Sequence, residues 1–342
     1  MSSQPVAILA SGMVTGVGLT AASTCAAIRC AISNFTETRF MDKGGEWIMG
    51  CQVPLEQPWR GRTKLVKMVA PAIKECLASL DGTPPVKVPL FLCVAEPDRP
   101  GRLEGLDQTL LMEVQVELGV QFHPESKVIA EGKVSGATAL ALARQWLQGR
   151  RGEYCLIAGV DSYLVAGTLA AYEEQTRLLT SQDHDGFIPG EAGAAILVGM
   201  PHKSRGGSVQ CLGIGSGHEQ ATVLSEKPLK ADGLVAAIKA ALADAGCGMG
   251  DLDFRITDVS GEQYGFKEAT LALTRIRRKL TERFEVWHPS DGVGEVGGAI
   301  IPIMLGVLLA SAKKNYSPGS RVLCHGGSDG RERIALVVKQ AE

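Results

Sequence analysis

The same succession of a strand, a glycine turn, a helix and a second strand occurs twice along this chain of 342 residues. The first copy covers residues 128–162 and ends in "YCLIAGVDS"; the second begins near residue 284 and ends in "RVLCHGGSDG". Strands that alternate with helices are typical of sheets with helices packed on them. Because an internal repeat constrains a fold more than any single motif, we expect a duplicated, layered α/β structure with two buried helices at its centre.

The pattern restarts near residue 200, after the polar, glycine-ended segment "HKSRGG" (202–207). We place the boundary between the two halves there, which gives an N-terminal half of residues 1–201 and a C-terminal half of residues 202–342. The total length suits two ordinary domains or one large duplicated unit.

Composition excludes several classes of protein. A formal net charge of −2 gives no bulk attraction to nucleic acid or to an anionic membrane. The apolar stretch 297–312 is too short to span a bilayer and contains Pro302, so it is expected to be a buried helix. Nine cysteines without regular spacing and an N-terminus without signal-peptide features indicate a cytoplasmic protein with reduced thiols. The histidines and cysteines show no metal-ligand pattern, and no cofactor is expected.

The segment "VIAEGKVSGATALALARQW" (128–146) reads as a strand, a tight glycine turn and a helix. Many α/β enzymes place a nucleophile on such an elbow. The residue at the tip here is Lys133, and the positive end of the helix dipole disfavours an ammonium group. Lys133 is therefore expected to be neutral unless a carboxylate lies beside it.

Four segments, in order along nearly the whole chain, resemble the β-ketoacyl synthases: "VAILASGMVTGVGLT", "DHDGFIPGEAGAAILVG", "LDFRITDVSGEQYGFKEAT" and "HGGSDGRERIALVV". The resemblance implies the thiolase-like fold, which is a duplicated α/β structure of five layers (α-β-α-β-α) with mixed, mainly parallel sheets. It also implies a homodimer. Members of that family condense acyl chains with one Cys and two His residues.

The residues at the family's reactive positions are different here. The elbow Cys lies three residues before a glycine, and counting from Gly136 gives Lys133. The first His corresponds to Ser260. The second His lies three residues before the glycine-rich start of a helix. With Gly294 taken as that glycine, this position is Asp291. The resemblance therefore predicts a scaffold without the reactive triad.

Other positions of the resemblance concern the surroundings of the site. His325 replaces the Phe of the family's C-terminal glycine motif, and its backbone N–H is a candidate for an oxyanion hole; the alternative is a hydrogen-bonded His at a strand end. His288 is a candidate displaced catalytic His if the alignment is shifted by three residues. Gly190, Glu191 and Gly193 match a loop that is structural in the family.

Two readings of Lys133 remain open at this point. A neutral, desolvated lysine acts as a nucleophile or forms a Schiff base. A lysine paired with Asp291 is an inert bridge in a blocked pocket.

Two function classes follow from these readings. The first is a synthase-like pseudoenzyme that has lost condensing activity and acts as a binding, assembly or accessory protein. The second is an active acyltransferase or decarboxylase of acyl thioesters that uses Lys133, His325 and Asp291.

The partners implied are a second copy of the chain, an acyl carrier protein or an active synthase paralogue. An accessory role beside a bacterial secretion system is a further hypothesis. The basic segments 59–67 and 274–284 are either a contact for an acidic carrier protein or solvated helix faces.

Overall fold

The computed structural model of the chain describes residues 4–201, 208–277 and 284–340. The expected boundary segment 202–207 and residues 278–283 of the basic segment lie outside the described residues. The strands are β1 Val6–Thr15, β2 Phe35–Met41, β3 Trp47–Cys51, β4 Leu90–Cys93, β5 Lys127–Ile129, β6 Tyr154–Ser162, β7 Glu191–Gly199, β8 Val209–His218, β9 Phe254–Thr257, β10 Val286–Trp287, β11 Arg321–Gly327 and β12 Glu332–Gln340. The helices are α1 Ala21–Arg29, α2 Gly61–Leu77, α3 Leu110–Leu118, α4 Ser135–Gln148, α5 Ala166–Glu174, α6 Asp232–Ala245, α7 Gln263–Ile276, α8 Ser290–Val293 and α9 Ile300–Lys313.

The order of the strands repeats from one half to the other. The N-terminal half gives β5-β4-β6-β7-β1, and the C-terminal half gives β10-β9-β11-β12-β8. When the five strands of each half are numbered in chain order, the third lies at the edge of the sheet. The second, fourth, fifth and first follow it in that order. The parallel and antiparallel neighbours also correspond. This correspondence confirms the duplication expected from the sequence.

The two five-stranded sheets are joined into one. β1 pairs antiparallel with β8, with Ala7 opposite Gln210, so that ten strands form a continuous sheet. The sheet is mixed, as expected, but parallel pairs are not in the majority: four neighbouring pairs are parallel and five are antiparallel. The physical reason is that β11 and β12 are joined by a short turn, which only an antiparallel pair permits, and β6 and β7 repeat that orientation.

The helices complete five layers. α2 and α3 cover the outer face of the N-terminal sheet, and α6 and α7 cover the outer face of the C-terminal sheet. α4 and α9 lie between the two sheets, and nearly every residue of α9 is buried. This position explains the uninterrupted apolar run that predicted a buried helix. Within the described ranges, no helix is both long and apolar enough to cross a membrane.

The close approach of α4 and α9 depends on a glycine. A Cβ atom at residue 136 would lie less than 3.0 Å from the Cβ atom of Ile301, a separation that real Cβ atoms essentially never show. The two helices therefore pack with their backbones near each other at residue 136.

We expect Gly136→Ala to lower the free energy of unfolding by about 1–3 kcal/mol, because the added methyl group overpacks the contact with Ile301. Urea unfolding followed by circular dichroism measures the change. Gly250→Ala is the matched control, since a Cβ at that position meets nothing within 4 Å. Equal stability of the Gly136→Ala variant and the wild type would contradict the close helix contact.

Candidate functional site

The elbow after β5 has the geometry expected from its sequence. Residues Gly132–Val134 form a single 3-10 turn that leads directly into α4. Gly132 has a φ of +55°, and a Cβ there would run into the carboxylate of Glu96, so this position requires glycine. Ser135 stabilises the turn: its Oγ donates to the carbonyl of Gly132 at 2.7 Å and accepts from the N–H of Glu131 at 3.2 Å. The turn directs Lys133 between the two halves of the molecule.

Lys133 is bound to a buried carboxylate. Its Nζ donates to Glu295 Oε2 at 2.9 Å, and the hydroxyl of Ser260 donates to the same oxygen at 2.7 Å. The backbone N–H of Gly297 donates to Glu295 Oε1 at 3.1 Å. Glu295 is 2% exposed, and both of its oxygens therefore have partners. We call Lys133, Ser260 and Glu295 the central cluster.

The glycine loop before β7 fixes the backbone of Glu295. The N–H of Gly190 donates to the carbonyl of Glu295 at 2.9 Å, and the N–H of Glu295 donates to the carbonyl of Ile188 at 2.8 Å. A Cβ at Gly190 would collide with the carbonyl of Val293. The loop expected to be structural thus holds the carboxylate of the central cluster in place.

A second group of charges closes one side of the central cluster. Arg177 donates to Glu262 at 2.7 and 2.8 Å and to Asp329 at 2.8 and 3.0 Å. The hydroxyl of Tyr172 donates to Asp329 Oδ2 at 2.6 Å. Burial alone would raise the pKa of Asp329, but hydrogen bonding and the charge of Arg177 hold it below its ordinary value. These bonds join α5 and the segment that follows it to the C-terminal half.

The space left beside the central cluster is small. The cavity lined by Lys133, Ser260, Asp258 and His325 has a volume of about 50 Å³. One water molecule takes up about 30 Å³ in the liquid, and pockets for small organic ligands measure roughly 300–1,000 Å³. This cavity is smaller than such ligand pockets. A wider cleft of about 520 Å³ borders it at Arg177, Ser328 and Asp329.

The electrostatics of the central cluster keep Lys133 charged. Burial alone would lower the pKa of Lys133, but the negative charges of Glu295, Asp258 and Asp329 outweigh it and raise the pKa above its ordinary value. Burial raises the pKa of Asp258 in spite of the attraction of Lys133. The condition set by the sequence, a carboxylate beside Lys133, is met, and the lysine is an ammonium ion at neutral pH.

The carboxylate is not the expected one. Asp291 is exposed and lines a separate pocket with His288, so the predicted contact between Lys133 and Asp291 is wrong, as is a site made of Lys133, His325 and Asp291. The reason is an error of register. Gly294 ends the short helix α8 with a φ of +71°, whereas the turn that opens α9 begins at Gly297. Counting three residues back from Gly298 would have given Glu295.

His288 does not reach the central cluster either. It is half-buried, its ring lies edge-on to that of Phe266 with centroids 5.6 Å apart, and its pocket is the one it shares with Asp291. Burial lowers its pKa, with the charge of Asp291 opposing the effect. His288 does not line the cavity of the central cluster, and its role as a displaced catalytic His stays a prediction.

His325 does lie in the cavity, opposite Lys133. It is 2% exposed, its Nδ1 is 3.5 Å from the hydroxyl of Thr257, and its Nε2 has no hydrogen-bond partner among the described residues. Burial, with the positive charges of Arg255 and His288, lowers the pKa of His325 to about 3. His325 is therefore a neutral imidazole at physiological pH. Its role in an oxyanion hole stays a prediction.

No set of three or more His, Cys, Asp or Glu side chains is arranged to hold a metal ion within residues 4–201, 208–277 and 284–340. The side chains that line the cavity include an ion-paired lysine, a hydroxyl and a neutral imidazole.

Similarity to known proteins agrees with the fold. Over 225 residues, or 62% of this chain, the sequence is 23% identical to the putative polyketide beta-ketoacyl synthase 2 of Streptomyces cyaneus. The match spans about half of that relative, 54% of its length. No protein-family model matches the chain.

Solved ketosynthase structures superpose over the whole chain. A beta-ketoacyl synthase from Burkholderia phymatum gives a TM-score of 0.75 at 13% identity and covers 100% of both chains. The chain has the thiolase-like fold of the ketosynthases. A ketosynthase in complex with its chain length factor from Xenorhabdus doucetiae gives 0.71 at 13% identity, covering 99% of this chain and 98% of that one. A type II PKS acyl-carrier protein in complex with its ketosynthase gives 0.79 at 13% identity, covering 99% and 100%.

We expect Glu295→Gln to lower the free energy of unfolding by about 3 kcal/mol, because the ammonium group of Lys133 then stays buried without its carboxylate. Adding Lys133→Met removes the unpaired charge and should restore part of the loss. Chemical unfolding of both variants measures this difference. Glu174→Gln, at an exposed pair with Lys43, should cause no measurable change. A double variant no more stable than Glu295→Gln alone would contradict the pairing.

The second prediction for the site concerns pH. Because His325 is neutral in the folded protein and its unfolded pKa is near 6.5, the unfolded state binds more protons between pH 6.5 and about 3. His325 should therefore make the protein about 2 kcal/mol less stable at pH 5 than at neutral pH. Urea unfolding at both pH values tests this: His325→Phe should remove that part of the pH dependence, and the exposed His184→Phe should retain it. An unaltered pH dependence in His325→Phe would rule out the buried neutral imidazole.

Proposed function

We propose that this chain is a ketosynthase-like protein that has lost condensing activity and serves as a binding or assembly partner. The observation that carries the proposal is the pairing of Lys133 with Glu295 in a cavity of about 50 Å³. An ammonium nitrogen has no free electron pair with which to attack a thioester, and the cavity beside it is small.

The alignment corrected by the structure supports this reading. When Gly298 is taken as the glycine that opens the last buried helix, Glu295 falls three residues before it, where the family has its second His. Lys133, Ser260 and Glu295 then stand for the Cys and the two His residues. The three replacements bond to one another, so they form a coordinated structural unit in place of a reactive one.

No observation favours the alternative of an acyltransferase or decarboxylase. The three residues named for it do not meet, since Asp291 lies elsewhere, and the raised pKa of Lys133 opposes nucleophilic attack.

The partner in this proposal is another ketosynthase-type chain or an acyl carrier protein. Support comes from the structural neighbours, which include a ketosynthase with its chain length factor and a ketosynthase with its acyl-carrier protein. β5 ends the sheet on the N-terminal side, and no described strand pairs with its outer edge. A free edge strand is suited to pairing with a second chain, which is consistent with the homodimer we predict. Sedimentation at micromolar concentration checks the dimer, and a clean monomer would count against it. The accessory role beside a secretion system stays a prediction.

The loss of activity is testable by acyl transfer. We expect the wild-type chain, incubated with radiolabelled acyl carrier protein and an extender unit, to retain no covalent label and to release no condensation product. An active ketosynthase assayed in parallel is the positive control. Stable label on Lys133, or a condensation product that disappears in Lys133→Ala, would overturn the proposal in favour of the enzymatic alternative. Sedimentation of the carrier protein with the chain tests binding separately from chemistry.

A further inference from the structure

A second cleft lies on the outer side of the N-terminal half, between the β2–β3 hairpin and the start of α2. Its volume is about 370 Å³, within the range of pockets that hold small molecules. Its walls are mostly apolar, and the aromatic residues Phe40 and Trp59 are among them. The central cluster does not contribute to it, so this cleft is independent of the proposed function.

The charges of the cleft have one sign. Arg39, Arg60 and Lys64 line it, and no Asp or Glu is among the lining residues. Lys64 is not a free cation, because its ammonium group forms an ion pair with Glu191 behind the wall of the cleft. Among the described residues, Arg39 and Arg60 form no ion pair. Two arginines from separate segments thus line the same space, and the guanidinium group of Arg39 lies 5.0 Å from the centroid of the Phe40 ring.

The buried partner of Lys64 explains why only the arginines remain available. Glu191 is fully buried and also accepts from the hydroxyl of Ser162 at 2.8 Å and from the N–H of Val53 at 2.9 Å. A buried carboxylate needs such partners, so the charge of Lys64 is compensated at the base of the cleft. The net positive charge of the cleft resides on Arg39 and Arg60.

The wall that carries Arg60 is preformed. Pro54 and Pro58 restrict the backbone of the loop between β3 and α2, and the N–H of Trp59 donates to the carbonyl of Gln57 at 2.8 Å. The ammonium group of Lys67, nearly two turns into α2, lies 5.3 Å from the centroid of the Trp59 ring. The two prolines reduce the backbone entropy that this loop can lose when a ligand binds.

We propose that this cleft binds a small anion with an apolar, ring-containing body, such as an aryl phosphate or an aryl carboxylate. The forked guanidinium groups of Arg39 and Arg60 match the oxygens of a phosphate or carboxylate. Phe40 and Trp59 supply apolar surface against which the ring packs. A neutral molecule of the same shape gains only the apolar part of this interaction.

Isothermal titration calorimetry with three probes tests the proposal: 1-naphthyl phosphate, 1-naphthoate and the neutral 1-naphthalenemethanol. We expect at least one anion to bind ten-fold or more tightly than the neutral probe, and the stronger of the two identifies the preferred head group. Arg39→Gln and Arg60→Gln should each weaken the anion about ten-fold. Arg331→Gln replaces an exposed arginine outside the cleft, and it should change the affinity of the protein for the anion less than two-fold.

The melting temperature without ligand separates loss of binding from loss of fold, and it should be the same in all three variants because these arginines are exposed. Absence of anion binding at millimolar concentration, equal binding of the neutral probe, or unchanged affinity in both cleft variants would overturn the proposal. Lys133→Ala leaves the cleft intact, so its anion affinity should equal that of the wild type whether or not the proposed function holds.

Discussion

Two helices with almost no space between them determine the centre of this molecule. α4 and α9 can touch because residue 136 has no side chain where Ile301 packs, and Gly306 leaves similar room on α9 for Met13 of β1. Both sheets pack against this pair, one from each side. Each helix is preceded by a glycine turn, so the contact also brings the two turns together. The site between the halves exists because of this packing.

Once the turns are close, the charges at their tips must be compensated. A carboxylate as deeply buried as that of Glu295 is costly unless it is paired and hydrogen-bonded, and Lys133 and Ser260 supply both interactions. Lys133 belongs to the N-terminal half, whereas Ser260 and Glu295 belong to the C-terminal half. Arg177 and Asp329 repeat this arrangement nearby. The ion pairs thus fasten the two halves together at the ends of the two glycine turns.

The sequence predicted the architecture because its signals are local and repeated. The strand–turn–helix pattern, the small residues of α4 and the apolar run of α9 each follow from periodicity and from glycine. The β2–β3 hairpin escaped notice because residues 35–51 are largely polar or exposed and lack strict alternation.

The site was harder to predict than the fold. The position of Lys133 and Ser260 followed from the resemblance, and the need for a carboxylate followed from electrostatics. Which carboxylate it is depended on the register of "SDGVGEVGGA", where Gly294, Gly297 and Gly298 all compete as the start of the helix. Only the backbone conformation distinguishes the glycine that ends α8 from the one that opens α9. Burial and the small size of the cavity are tertiary properties, and no local pattern encodes them.

The elbow is present twice. Gly132 and Gly297 have φ angles of +55° and +49°, each opens a single 3-10 turn, and each turn continues into a central helix. At the tip, Lys133 corresponds to Gly298. A Cβ at Gly298 would lie 3.2 Å from the carbonyl oxygen of Cys93, so the second elbow has little room for a side chain of any kind. The duplicated fold is thereby asymmetric in its capacity for chemistry: of two equivalent turns, one presents a functional group and the other is reduced to bare backbone. A redesign that aims to give this scaffold a reaction has one usable position, not two.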